Sequence, residues 1–178
     1  MAQFPIVVFG LLLKDAIESN FRSGILISSS MLLFSFVFAY ADKKSRGNRS
    51  IDSLTHQEAV VFGIAQSAAI IPGVSRSGGT ISAGLLLGFT RVQSARFSFL
   101  LAIPAVLGSG LFELRKLNPE STVWPQTVVA TLIAFFVGYA VIRWFLNFIS
   151  TNSFMVFIKY RIVISSIFLI LFLFGIIK

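Results

Sequence analysis

Cysteine is missing from this sequence, and acids and histidine are scarce: 7 Asp and Glu and one His in 178 residues. Without thiols there are no disulfides, thiolate nucleophiles or Cys-based metal sites. The lone imidazole, His56, ends the most polar stretch and reads as a solvated residue, so a Ser/His/Asp triad has nothing to build on. Charge of both signs amounts to 12% of the chain, against roughly 25% in a soluble domain. A water-facing surface is therefore excluded for most of the molecule.

What is present is apolar. Hydrophobic residues make up 56% of the chain, 20 of them Phe, and the mean hydropathy is +0.87. The length allows one compact unit, here residues 1–178 as a single membrane-embedded domain. The net charge of +8 raises the question of nucleic acid. The basic residues lie between apolar runs and form no stripe, so they read as membrane-interface anchors and nucleic acid is set aside as a partner. The expected class is an all-α, polytopic transmembrane helical protein.

Ser23–Ala41, Phe97–Phe112 (with Pro104 inside), Val123–Ile142 and Ile162–Ile177 are long and apolar enough to cross a hydrocarbon core of about 30 Å. Phe4–Leu13 is too short to do so. It has no basic leader region or cleavage site, and reads like the tail of a membrane helix ending at Lys14, Asp15 and Glu18. Asp42–Glu58 reads as a solvated loop. Pro119–Pro125 is a loop carrying the interface anchor Trp124, and Asn147–Ser153 a polar break. Lys159 and Arg161 read as the flank of the last span.

Residues 59–90 are different. They are mostly apolar, but Pro72-Gly73 and Gly78-Gly79 break them into halves of roughly 10 to 13 residues, too short to span alone. Two half-helices meeting at a polar turn predict a re-entrant hairpin, whose irregular backbone must line protein or a wet cavity. The competing reading is one long kinked helix. With a hairpin here, nine basic residues (Lys43, Lys44, Arg46, Arg49, Arg91, Arg96, Arg143, Lys159 and Arg161) share one face and five the other. That bias favours a cytoplasmic 42–58 loop.

Arg76 is the one charge between Ala59 and Thr90. A charge at membrane depth costs about 3 kcal/mol on insertion scales and persists where it faces a cavity and a partner. Its planar fork suits carboxylate or phosphate oxygens. Ser75, Ser77 and Thr80 add hydroxyls. Gly73, Gly78 and Gly79 let backbone N–H groups approach a ligand. The helical pattern from Ile81 onward brings a helix N-terminus, which favours an anion. These parts describe a phosphate cradle. It is not a Walker loop, since no Gly-Lys-Ser/Thr follows the glycines. Gln66, a polar amide in the first half-helix, either faces the same cavity or serves as helix–helix glue.

Gln66-Ser67-Ala68-Ala69-Ile70-Ile71-Pro72-Gly73-Val74-Ser75-Arg76-Ser77-Gly78-Gly79-Thr80 resembles the second signature of the undecaprenyl-diphosphate phosphatases, the bacitracin-resistance family. Phe97–Pro104 is similar to the helix that follows it there. The resemblance implies a fold of inverted repeats, each with a re-entrant helix pair, of which this chain would hold one. It implies a hydrolase of the bacterial plasma (inner) membrane that removes one phosphate from undecaprenyl diphosphate, recycling the cell-wall lipid carrier. The implied partners are a polyprenyl diphosphate and the bilayer, with homodimerisation open.

Carried over by position, Arg76 would clamp the diphosphate and Ser75 and Thr80 would hydrogen-bond it, the three catalytic positions. Ser77, Gly73, Gly78, Gly79 and Gln66 would bind substrate. A divalent cation, Mg2+ or Ca2+, is also implied. Its ligands belong to an earlier family signature, with two glutamates four residues apart and a Ser-Ser-Thr-Gly-His run, that nothing in these 178 residues matches. The expected correspondence is therefore to the C-terminal portion of a family member, an N-terminally truncated form. A carrier or flippase of an anionic polyprenyl lipid, or an inactive fragment, stands as the alternative.

Overall fold

The computed structural model describes residues 23–45, 47–115 and 123–177. The short apolar stretch Phe4–Leu13 with its polar end, and most of the Pro119–Pro125 loop, lie outside the described residues. Within them there are six α-helices and no strand; one isolated bridge joins Arg49 and Phe89. The helices are α1 (Gly24–Lys44), α2 (His56–Ser67), α3 (Arg76–Leu86), α4 (Arg91–Leu114), α5 (Trp124–Thr151) and α6 (Met155–Leu173). Single 3-10 turns stand at Ile51–Ser53 and Ala68–Ile70. Helices α1, α4, α5 and α6 are long and apolar enough to cross a membrane, which makes this a multi-pass membrane protein.

The hairpin is α2, the turn at 71–75, and α3. The hairpin helices and α4 start on side-chain caps. Thr55 and Glu58 form a capping box at α2, and Thr90 accepts the Gln93 N–H at the start of α4. α2 and α3 pack on each other, and α3 also packs on α1 and α4. The shortest of these helices is thus the central one, with Gly78, Gly79, Thr80, Ile81, Ser82, Gly84 and Leu85 buried. Small residues let the backbones close up where apolar packing alone gives little drive. A Cβ at Gly79 would lie 2.8 Å from the Ala65 carbonyl oxygen of α2. Gly79→Ala should therefore cost about 1–2 kcal/mol: crowding of about 2–3 kcal/mol, because the neighbour is backbone and cannot swing away, offset by about 1 kcal/mol of helix propensity. Thermal unfolding in detergent reads this out; an unchanged midpoint would contradict the close approach.

α6 runs antiparallel to α1, with Phe172 beside Gly24 and Arg161 beside Ser35. One end of the bundle, the base, gathers the end of α1, both open ends of the hairpin, the start of α4 and the α5–α6 turn. Two ion pairs close it. Arg91 Nε donates to Asp42 Oδ1 at 2.7 Å, and Arg49 Nη1 donates to Glu58 Oε1 at 2.6 Å. Arg49 also donates to the Leu87 carbonyl and lies over the Phe89 ring, so one side chain ties the start of α2 to the end of α3. Phe38, Ile81, Leu85, Ile149, Phe154 and Ile158 form the core above the base, and Phe62, Phe89 and Leu101 a second cluster behind α2.

The hydrogen bonds from Arg49 and from the Thr55 N–H hold the Glu58 carboxyl at about 2, below its ordinary 4.5. A lowered carboxylate stabilises the fold fully above its unfolded value, and that contribution is lost as pH falls from about 4.5 through about 2. Between pH 6 and pH 2 the thermal midpoint of the wild type should drop in this window. Glu58→Gln should start lower at pH 6 and show a smaller acid drop; parallel pH curves would count against the contact.

Three sequence expectations change. Asp42 is not in a solvated loop: α1 extends to Lys44 and Asp42 is 2% exposed, facing Arg91. The polar break expected at 147–153 is shorter than that: α5 continues to Thr151, and the helix stops at Asn152 and Ser153 before α6. Ser150 and Thr151 donate back to the Asn147 and Phe148 carbonyls of their own helix, so their polarity is spent within α5. Arg161 is not a flank of α6. It stands nearly two turns inside, against the hairpin turn.

Candidate functional site

The hairpin turn stops partway along the bundle. Ser30 of α1 donates to the Pro72 carbonyl, and Ser30 is 14 residues, or about 21 Å, from the base end of α1. Helix α1 itself is about 32 Å long. The turn therefore ends about two thirds of the way along a membrane-length helix, short of its far end, as expected of a sequence broken at Pro72-Gly73.

Gly73 has φ +93° and packs against the α1 backbone at Ile27 and Met31. Both its conformation and the lack of room require glycine. Two residues on, Ser75 has φ 40° and ψ 114°. A non-glycine residue there stores strain of about 1–3 kcal/mol, a cost often found at binding turns. Its Oγ accepts the Gly78 N–H at 3.2 Å, capping α3, and lies 3.3 Å from Ser77 Oγ. Arg76 is the first residue of α3, half-buried, and among the described residues no hydrogen bond or ion pair engages its guanidinium. The N–H groups of Arg76 and Ser77 belong to the first helical turn, where no intrahelical carbonyl can receive them. An unengaged fork, two hydroxyls and a helix N-terminus thus meet at one turn, and all of them favour an anion.

The other sequence-predicted residues sit around this group. Gly78 and Gly79 are buried, and their N–H groups go to Ser75 Oγ and the Ser75 carbonyl. They serve packing and capping and offer no donor to a ligand. Thr80 is 1% exposed; its Oγ1 is 2.6 Å from Ser98 Oγ of α4 and donates within α3. Its hydroxyl faces the α3–α4 contact. Gln66 is buried, 1% exposed, on α2.

Arg161 was missed as a site residue. Its Nη2 donates to the Gly73 carbonyl at 2.9 Å and its Nε to Ser35 Oγ at 3.3 Å. A signal existed: Phe154–Ile158 is apolar, so Lys159 and Arg161 have apolar sequence on both sides and do not simply precede a span. With it the turn is held from α1 by Ser30 and from α6 by Arg161.

These donors suit oxyanions. A hard divalent cation needs carboxylate or carbonyl oxygens in number, and the described residues hold no group of three or more His, Asp or Glu that could bind one. The described carboxylates Asp42 and Glu58 are engaged at the base by Arg91 and Arg49. The turn's own residues therefore do not fit a cation site, and no step is derived through one.

Comparison with known proteins places residues 1–167 in a match to the family described as "Bacitracin resistance protein BacA". The chain is similar to undecaprenyl-diphosphatase of Pseudarthrobacter chlorophenolicus, 46% identical over all of this chain and 66% of the relative. It is similar to the enzyme of the same name from Kineococcus radiotolerans, 50% identical over 91% of the chain and 58% of the relative. Undecaprenyl-diphosphatase 2 of Agrobacterium fabrum is 50% identical over 98% of the chain and 63% of the relative. The chain thus spans about three fifths of the length of the curated relatives it matches.

Proposed function

Because the chain belongs to the bacitracin resistance protein BacA family, we propose that the turn at 71–77 binds the diphosphate of a polyprenyl diphosphate, undecaprenyl diphosphate in the named relatives, and serves its hydrolysis to the monophosphate in a bacterial inner membrane. The chain corresponds in this reading to the C-terminal portion of the family enzyme. The observation that carries the proposal is Arg76, unengaged by any described residue at the N-terminus of a short buried helix that ends within the span of α1.

In that role Arg76 grips two non-bridging phosphoryl oxygens with its fork, and the first-turn N–H groups and the Ser77 hydroxyl receive the next. Ser75 holds the cap and can still donate its own proton. As the bond to the leaving phosphate breaks, negative charge grows on these oxygens, and donors fixed beforehand favour that state over the ground state. Thr80 acts through Ser98 to hold α3 against α4, and Arg161 acts through Gly73; both are positioning residues. The divalent cation implied by the resemblance would be held by residues other than those around this turn.

Phosphate release from polyprenyl diphosphate by the purified protein, with Arg76→Ala alongside, tests the reading. Release that Arg76→Ala removes supports it; no release above blank ends the claim that this chain is active by itself. Broken helices also suit a lipid carrier. Movement of labelled lipid between leaflets of a vesicle with its diphosphate intact would favour that alternative.

A further inference from the structure

Helix α4 has two working faces. Ser94, Ser98 and Leu101 are buried toward α2 and α3. The other face turns to α5, where Phe99 meets Phe145 with ring centroids 5.9 Å apart. Between α4 and α5, toward the base, lies a groove of about 760 Å³ that the diphosphate turn does not touch. Val92 and Arg96 line it from α4, and Arg143, Trp144, Asn147 and Ser150 from α5.

Its chemistry is one-sided. Two arginines share the groove and no carboxylate lines it. Among the described residues no ion pair or hydrogen bond engages either guanidinium. Two like charges drawn into one groove repel unless an anion joins them. Asn147 adds amide donors and Ser150 a hydroxyl. Trp144 stacks on Phe148 at 5.6 Å between centroids, an amphipathic ring of the kind that sits at headgroup level. Away from the base, α5 continues as an exposed apolar surface through Tyr139, Phe136 and Leu132. A ligand that fits both parts has a phosphate at one end and a hydrocarbon chain at the other.

We propose that this groove binds the phosphate headgroup of an anionic glycerophospholipid at the basic face of the membrane. Arg96 and Arg143 grip the phosphate oxygens from opposite helices, Asn147 and Ser150 hydrogen-bond the headgroup, and the acyl chains lie along α5. The bound lipid joins two helices that otherwise touch sparsely. Basic pockets between membrane helices hold anionic lipids elsewhere by the same forces.

The test uses the full protein in neutral detergent, titrated with phosphatidylglycerol, phosphatidylcholine or inorganic phosphate, and read by thermal unfolding and by lipid adducts in native mass spectrometry. Phosphatidylglycerol should raise the midpoint and form a one-to-one adduct, and phosphatidylcholine should do neither. Arg96→Ala/Arg143→Ala should retain at least tenfold less of the adduct with its lipid-free midpoint unchanged, since both side chains are exposed. Arg143→Gln alone, a milder change, should lose part of it. An effect of inorganic phosphate as large as that of the lipid would overturn the lipid in favour of a free-phosphate site. Equal phosphatidylglycerol uptake by wild type and both variants, or equal uptake of phosphatidylcholine, would overturn the site itself.

Discussion

Replacing Arg76 with alanine is expected to weaken polyprenyl-diphosphate binding by about 10²- to 10³-fold and to leave the fold intact. A charge-assisted hydrogen bond contributes about 1.5–3 kcal/mol. Two of them from one fork, sharing a single side chain, come to about 3–4 kcal/mol, and each 1.4 kcal/mol is tenfold. The fold should not notice, because no described residue is hydrogen-bonded or ion-paired to this guanidinium. Its removal leaves no orphaned partner, and such changes fall within about 0.5 kcal/mol. Arg76→Lys keeps the charge without the fork and should recover only part of the affinity. Calorimetric titration with a short-chain polyprenyl diphosphate, beside thermal unfolding, separates the two quantities. Unchanged affinity in Arg76→Ala would remove the turn from the binding site.

Arg161→Met should show the reverse order of effects: stability falls first, by about 2–3 kcal/mol, and affinity follows by roughly tenfold. Methionine keeps the length and apolar stem of arginine and deletes the donors to the Gly73 carbonyl and to Ser35. A part-buried carbonyl and hydroxyl left without their donor cost about 1–3 kcal/mol, and the turn then rests on Ser30 alone. Arg76 and the first-turn N–H groups shift with it, so affinity declines through geometry. Arg161→Lys can reach one acceptor but not two and should restore part of both. If the midpoint and the affinity of Arg161→Met equal those of the wild type, Arg161 is not what holds the turn. The pair of variants is diagnostic together: in the proposed site Arg76 grips the diphosphate itself, and Arg161 holds the turn that carries Arg76.

Much of this was legible in the residue order. Four runs of apolar residues gave four membrane-length helices, with ends shifted by up to nine residues, the largest at the end of α5. Pro72-Gly73 placed the break correctly, because proline ends a helix and a φ of +93° at Gly73 suits no other residue. The motif around Arg76 named an anion because its side chains offer donors and no acceptor charge.

Other features were not legible for physical reasons. Polar residues from Asn147 on looked like a helix end, yet α5 runs to Thr151 because the Ser150 and Thr151 hydroxyls bond back to its own carbonyls. The glycines after Arg76 looked like ligand-facing backbone, yet Gly79 is where α3 meets the Ala65 carbonyl. Thr80 shares the motif with Arg76 but turns toward Ser98, since four residues along a helix point elsewhere than the first N–H groups do. Arg161 looked like an interface anchor because its partners are distant in sequence: Gly73 is 88 residues away.

The sequence by itself determined the solvent of this protein, the long helices among the described residues, the hairpin break and the sign of the charge offered at the turn. Those follow from hydropathy, backbone stereochemistry and the charge of a few side chains, all local properties. Only the tertiary structure decided which donors are left for a ligand. That depends on where each hydroxyl, amide and guanidinium finds a partner, and those partners come from α1, α4 and α6 once the helices have packed.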